Sequence, residues 1–443
     1  MRLLSLLFAA ALLLGGRLAD ADAPAFGSSP YSSSLYREGP GFKIGETPLV
    51  VHLGLAVELG YDSNVFYAPT NETGSGLLRA RLHLDLATLP PQRLASDLLP
   101  TADPKVDFRL STQFEYREYL SPLSEVRDLR SFNVAVIGDL TILPAGPFTL
   151  KLNDTYLHAV DARSQDGSLP LAPGSNWTRN YNRVGVLATY KVGATRRLQL
   201  GLGDWFEFSL WEDRQLQFGN VLTNEGQAFV RWSFRPKIIG NLTLRAAYHH
   251  FPNNNAIDSA PIRALAGISA VITNWFGFGA QLGYGNSIQL GRGPSFNSAV
   301  AQVEARFYLP LGSKIFVGYD RDFFDTLFAN YYVDDHLYVR FEQPLVRRLL
   351  ARLDAGVRFR EFAGLTDPTF LGQGSYSDPN GRKDFVYEVG AELAVRAASW
   401  LEVGAAYNLR GDRTDFAFIS ATGVSINASY IKHSVLVRAD IAY

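Results

Sequence analysis

Cysteine is absent from the 443 residues, and the single methionine is the initiator. These absences remove disulfide staples, thiolate nucleophiles and every cysteine-ligated zinc or iron-sulfur site. An excess of one charge is also missing: 42 Lys and Arg stand against 43 Asp and Glu, a formal charge of -1. That balance argues against a nucleic-acid-binding surface. Beyond Leu14 no apolar run approaches the roughly 20 residues that a membrane-crossing helix requires. What the chain does hold is 13% aromatics, 39 Gly and 22 Pro, a mixture suited to many strands and turns and unsuited to an all-α fold.

The amino terminus reads as an export signal. Met1 and Arg2 precede an apolar stretch, Leu3 to Leu14, followed by a small-x-small cleavage site at Ala19-Asp20-Ala21 or Ala21-Asp22-Ala23. The expected division is a signal peptide at 1–21, an irregular periplasmic segment at 22–48 and a barrel at 49–443. At about 27 residues the middle segment is too short for a folded plug.

From there the chain alternates with period two. In Val51-His52-Leu53-Gly54-Leu55-Ala56-Val57-Glu58-Leu59 large apolar side chains take the odd positions and small or polar ones the even. The stretch Leu78-Arg79-Ala80-Arg81-Leu82-His83-Leu84-Asp85 repeats the pattern with charges on one face. Runs this long suit a tilted strand crossing a bilayer better than a soluble sandwich.

The alternation predicts an all-β fold, a transmembrane antiparallel up-and-down β-barrel of about 18 strands, with 16 to 20 as the range. Connections alternate between short (Pro144 to Pro147, Pro310 to Ser313, Ala397 to Ser399) and long and polar (Asp161 to Arg179, Asn286 to Asn297, Gly411 to Ala428). Short periplasmic turns and long outer loops would produce that rhythm, with both termini in the periplasm. Thr88 to Pro104 is the exception. The final Val435 to Tyr443 ends on an aromatic after alternating apolar residues, similar to the carboxy-terminal signal read by the barrel-assembly machinery.

Outward positions such as Phe108, Leu110, Phe132, Val134, Val136, Leu140 and Ile142 are expected to face outer-membrane lipid. Trp205, Trp232, Trp275, Phe276, Tyr308 and Trp400 are assigned to aromatic girdles. The inward series is polar. Arg79, Arg81, Arg109, Arg117, Arg340, Arg352, Arg358, Arg360, Glu388 and Glu392 are the candidate pore-lining residues. Either they pair across strands and stiffen the wall, or they form a track for a hydrophilic solute, with Arg352, Arg358 and Arg360 setting an anion preference.

No catalytic, metal or cofactor site is expected. Asp320, Asp322, Asp325, Asp334 and Asp335 surround Phe323, Phe324, Phe328, Tyr331 and Tyr332 but match no calcium-loop spacing, so a solvated outer loop is expected. His249-His250 and Asp335-His336 fall at outer strand ends on separate strands, a weak basis for a hydrolase.

Two stretches carry a resemblance. Gly60-Tyr61-Asp62-Ser63-Asn64-Val65-Phe66 and Tyr319 to Tyr332 are similar to motifs of outer-membrane β-barrel porins, many associated with exopolysaccharide export. Together they cover about twenty residues. The resemblance implies a monomeric channel in the outer membrane of a Gram-negative bacterium that passes a hydrophilic polymer outward, with a periplasmic polysaccharide copolymerase as partner. The alternatives are a general or solute-specific diffusion porin, a barrel hydrolase and a structural scaffold.

Overall fold

The computed structural model describes residues 41–88, 105–160, 178–254, 257–326, 329–346, 348–365, 375–378, 381–419 and 423–442. The expected signal peptide and most of the segment at 22–48 lie outside these residues.

Eighteen long strands follow one another: β1 Val50–Asp62, β2 Ser75–Ala87, β3 Val106–Leu120, β4 Ser131–Ile142, β5 Phe148–Val160 and β6 Thr178–Val192. Next come β7 Leu198–Trp211, β8 Val221–Arg235, β9 Ile238–His250, β10 Ile262–Val271, β11 Phe276–Asn286 and β12 Asn297–Tyr308. The last six are β13 Lys314–Thr326, β14 Ala329–Val346, β15 Leu349–Leu365, β16 Arg382–Arg396, β17 Leu401–Arg413 and β18 Tyr430–Ala442. Each pairs antiparallel with the next, and β18 returns to β1, Gly54 opposite Ala442 and Asp62 opposite Ser434. The sheet is closed, so these strands expose no unpaired edge.

Alternation decides which residues face where. On β1, Leu53, Leu55, Val57, Leu59 and Tyr61 are exposed while His52, Glu58 and Asp62 are buried. Leu77, Tyr119, Trp211, Phe362 and Leu436 come from strands spread around the sheet yet join one apolar cluster. They can meet only inside, so their parity defines the inner face, and the apolar parity faces outward. A closed barrel with an apolar outer surface is a membrane-spanning structure, and the protein belongs in the outer membrane of a Gram-negative bacterium.

The long connections converge on the outer mouth. Val65 and Phe66 of the first loop, Val126 of the four-residue helix α1 (Ser124–Arg127), Leu216 and Phe218 after β7, and Phe416, Phe418 and Ala428 before β18 pack into that same cluster. A small three-stranded sheet, Ser375–Tyr376, Ala417–Ile419 and Ser425–Asn427, links two of these loops. At the opposite end Phe42–Lys43 pairs with Val50 and Val51 beside the seam.

Three expectations change. The aspartate-rich stretch around 320–335 is the outer half of the β13–β14 hairpin, not a solvated loop. Among its aromatics Tyr332 joins the mouth cluster and Phe323 packs with Leu265, Phe296 and Val300, while Phe328 lies outside the described residues. Trp205 and Tyr308 fall on the inward parity, Trp205 opposite Gly185 and Tyr308 opposite Lys314. Gly185 and Gly203 leave the space for the Trp205 ring, since a Cβ at either would lie 1.9 or 2.5 Å from it. Trp232, Trp275 and Trp400 are exposed at the short-turn end, as a girdle requires.

Candidate functional site

All ten candidate residues stand on the inner face, and each is paired. On β1–β3, Glu58 accepts from Arg79 at 2.8 Å and from Arg81, while Glu115 takes Arg117 at 2.9 Å. Arg109 reaches Asp85 at 3.3 Å. On the far side Arg340 binds Asp354 at 2.7 Å, and Arg352 bridges Glu342 and Glu392 at 3.3 and 3.4 Å. Arg358 and Arg360 share Asp334 at 2.6 and 3.3 Å. Glu388 holds Arg410 at 3.3 Å, and Glu392 also meets Arg438.

Cross-strand pairs of this kind contribute roughly 0.2–1 kcal/mol each. Their main effect is to keep a hydrophilic wall close to neutral. The arginine-rich sector at Arg352, Arg358 and Arg360 is therefore matched by carboxylates, and an anion preference seated there loses its basis.

A different arginine group, not singled out from the sequence, surrounds a cavity of about 150 Å³ below the outer mouth. Its walls come from the inner face of β6–β10 and from the tip of the β13–β14 hairpin, which bends inward. The Arg179 guanidinium lies 5.3 Å from the Trp211 ring and that of Arg183 lies 5.6 Å from Trp205. Arg183 also reaches Glu225 at 3.2 Å, and Tyr181 donates its hydroxyl to Glu207 at 2.9 Å. Arg263 donates to the Asp322 carboxylate at 2.9 Å and to the Phe323 carbonyl at 2.6 Å, stacking over the Phe323 ring. Asp325 accepts from Ser259 at 2.6 Å and contacts His249. These contacts pin the end of the hairpin against β9, β10 and their connection.

Arg179, Tyr181 and Arg183 share one parity on β6, facing Trp205, Glu207 and Trp211 on β7. That parity was readable. The hairpin's arrival from seven strands away was not. His250 instead contacts Asp258 at 3.0 Å, and His336 lies 3.7 Å from Asp320. The two histidine motifs do not meet.

No family model matches the sequence, and no curated protein matches it. Among solved structures the chain is similar to the outer membrane protein OpdK of Pseudomonas aeruginosa, at 12% identity and TM-score 0.47, covering 89% of this chain and 99% of that one. It is similar to OccK2 (OpdF) of the same organism in complex with glucuronate, at 11% and 0.48, covering 89% and 98%. A BenF-like porin from Pseudomonas fluorescens Pf-5 aligns at 11% and 0.47, covering 89% and 99%. The architecture stands on the strand register itself.

Proposed function

We propose that the protein is a diffusion porin for small hydrophilic solutes, in preference to the polymer exporter that the sequence resemblance implies. The observation that carries this reading is the cavity between the β6–β10 arginines and the inward hairpin tip. It is a bounded, hydrogen-bonding site with aromatic walls, scaled to one small solute. A sliding polymer needs a continuous wide track, whereas here outer loops and a hairpin crowd the mouth. Solute enters through the mouth, exchanges water for contacts with Arg179, Arg183, Arg263, Tyr181 and Trp205, and then passes the ion-paired wall. Arg79, Arg81, Arg109, Arg117, Arg340, Arg352, Arg358, Arg360, Glu388 and Glu392 line that wall at several depths. Contacts that are individually weak let solute leave as readily as it enters.

Planar-bilayer conductance and proteoliposome swelling test this. Discrete channels together with swelling in monosaccharides and small organic ions are expected. A barrel that passes no small solute but is blocked selectively by a polysaccharide would return the function to polymer export.

A further inference from the structure

The lipid-facing wall carries two carboxylates where hydrocarbon should be. Asp154 on β5 and Asp204 on β7 are exposed on the outward parity, each hydrogen-bonded to an asparagine. Asn182 donates to Asp154 at 2.7 Å, and Asn224 to Asp204 at 3.4 Å. Along their strands they follow Leu152 and Leu202, and Asp204 precedes Phe206. Among the described residues, other ionisable groups on this face lie toward the outer rim or, as with Arg321 and Asp335, neutralise each other.

Register fixes their depth. Asp154, Val184, Phe206 and Asn224 form one cross-strand row, with Asn182 two residues above it and Asp204 two below. Rows climb as strand number rises: the row through Leu55 near the base of β1 reaches Leu210 near the top of β7. With strands tilted about 40°, two residues span about 5 Å of depth and each strand adds about 3 Å. Asp154 and Asp204 are thus level with each other, and Asn182 and Asn224 are level about 8–9 Å higher. Phe148 and Tyr190 below and Tyr248 above place the carboxylates near mid-membrane.

We infer that this patch is the contact surface for a second copy of the chain. A twofold axis along the membrane normal, midway between Asp154 and Asp204, preserves depth and sets like against like. Asn182 meets the other copy's Asn224 at matching depth, its N–H groups held by Asp154 and the Thr155 carbonyl and those of Asn224 by Asp204 and the Trp205 carbonyl. Asp154 meets the other copy's Asp204, where a carboxyl O–H on one side can donate to the carboxyl oxygen on the other. The same axis sets Leu202, the most exposed apolar side chain in the wall at 68%, against Gly138, which leaves a notch at matching depth. Polar groups, depth and shape are therefore matched about one axis on one arc of the barrel. Lipid offers none of these groups a partner.

The chain lacks cysteine, so introduced thiols report cleanly. The double variant Gly138→Cys with Leu202→Cys, oxidised in native outer membranes, is expected to give a covalent dimer, whereas Leu55→Cys on the outward face of β1, outside the patch, gives none. Native mass spectrometry in nanodiscs is expected to show a dimer, lowered at least tenfold by Asp154→Leu with Asp204→Leu, a variant that keeps its heat-modifiable mobility. A monomeric wild type, equal cross-linking from Leu55→Cys, or a dimer untouched by the double leucine variant would each overturn the inference.

Discussion

The Lys432 ammonium lies 2.7 Å from the Asp62 carboxylate, joining the last strand to the end of the first across the seam. Both side chains are buried, and the Tyr67 ring covers the ammonium at 4.0 Å. Asn64 completes the clasp by donating to the carbonyls of Ala68 and Ile431 at 2.8 and 2.9 Å. The Gly60-to-Phe66 motif is thus the point where first and last strands are fastened.

Breaking this pair strands a buried charge. Asp62→Asn is expected to cost about 3 kcal/mol, read from urea unfolding of the detergent-solubilised barrel, and Asp62→Leu with Lys432→Met recovers most of the loss. A single variant as stable as wild type would deny the clasp any energetic role.

Position on the wall decides the cost of a charge. Leu82→Arg, on the outward face of β2, is expected to destabilise by about 2–4 kcal/mol, while Arg81→Leu, one residue away on the inner face, costs less. Reversal of that order in unfolding titrations would mean the faces are misassigned.

Gly185 holds the Trp205 ring in the lumen. Gly185→Val is expected to cost about 1–3 kcal/mol by overpacking. It also breaks the Trp205 hydrogen bond to Asn153, 3.2 Å in the native wall. A red-shifted tryptophan emission is the accompanying readout, and unchanged emission would contradict the inward placement.

The end of the β13–β14 hairpin is held against the inner wall by Arg263, His249 and Ser259. Arg263→Ala with His249→Ala is expected to raise single-channel conductance and increase current noise, since of the three anchors the tip keeps only Ser259. Unaltered conductance would show that current passes elsewhere.

Much of the architecture was legible because a barrel wall repeats one local rule. Leu53 to Tyr61 outward and His52 to Asp62 inward is a pattern that any pair of neighbouring strands preserves, so strand number and the two faces of the wall could be read from periodicity. Trp205 was misplaced because an aromatic near a strand end suits a girdle equally well, and only its glycine neighbours on β6 and β7 create an inner slot for it. The 320–335 aspartates looked like a solvated loop because their arginine partners, Arg263 and Arg358, lie far along the chain.

By itself the sequence determined that the wall has two faces and how many times the chain crosses it, since these follow from side-chain direction along a single strand. Tertiary closure decided the rest. It set the register that levels Asp154 with Asp204, brought the hairpin tip onto β9 and β10, and matched the arginines of β2, β3, β14 and β15 with carboxylates. Those relations depend on distances between strands that no local pattern encodes.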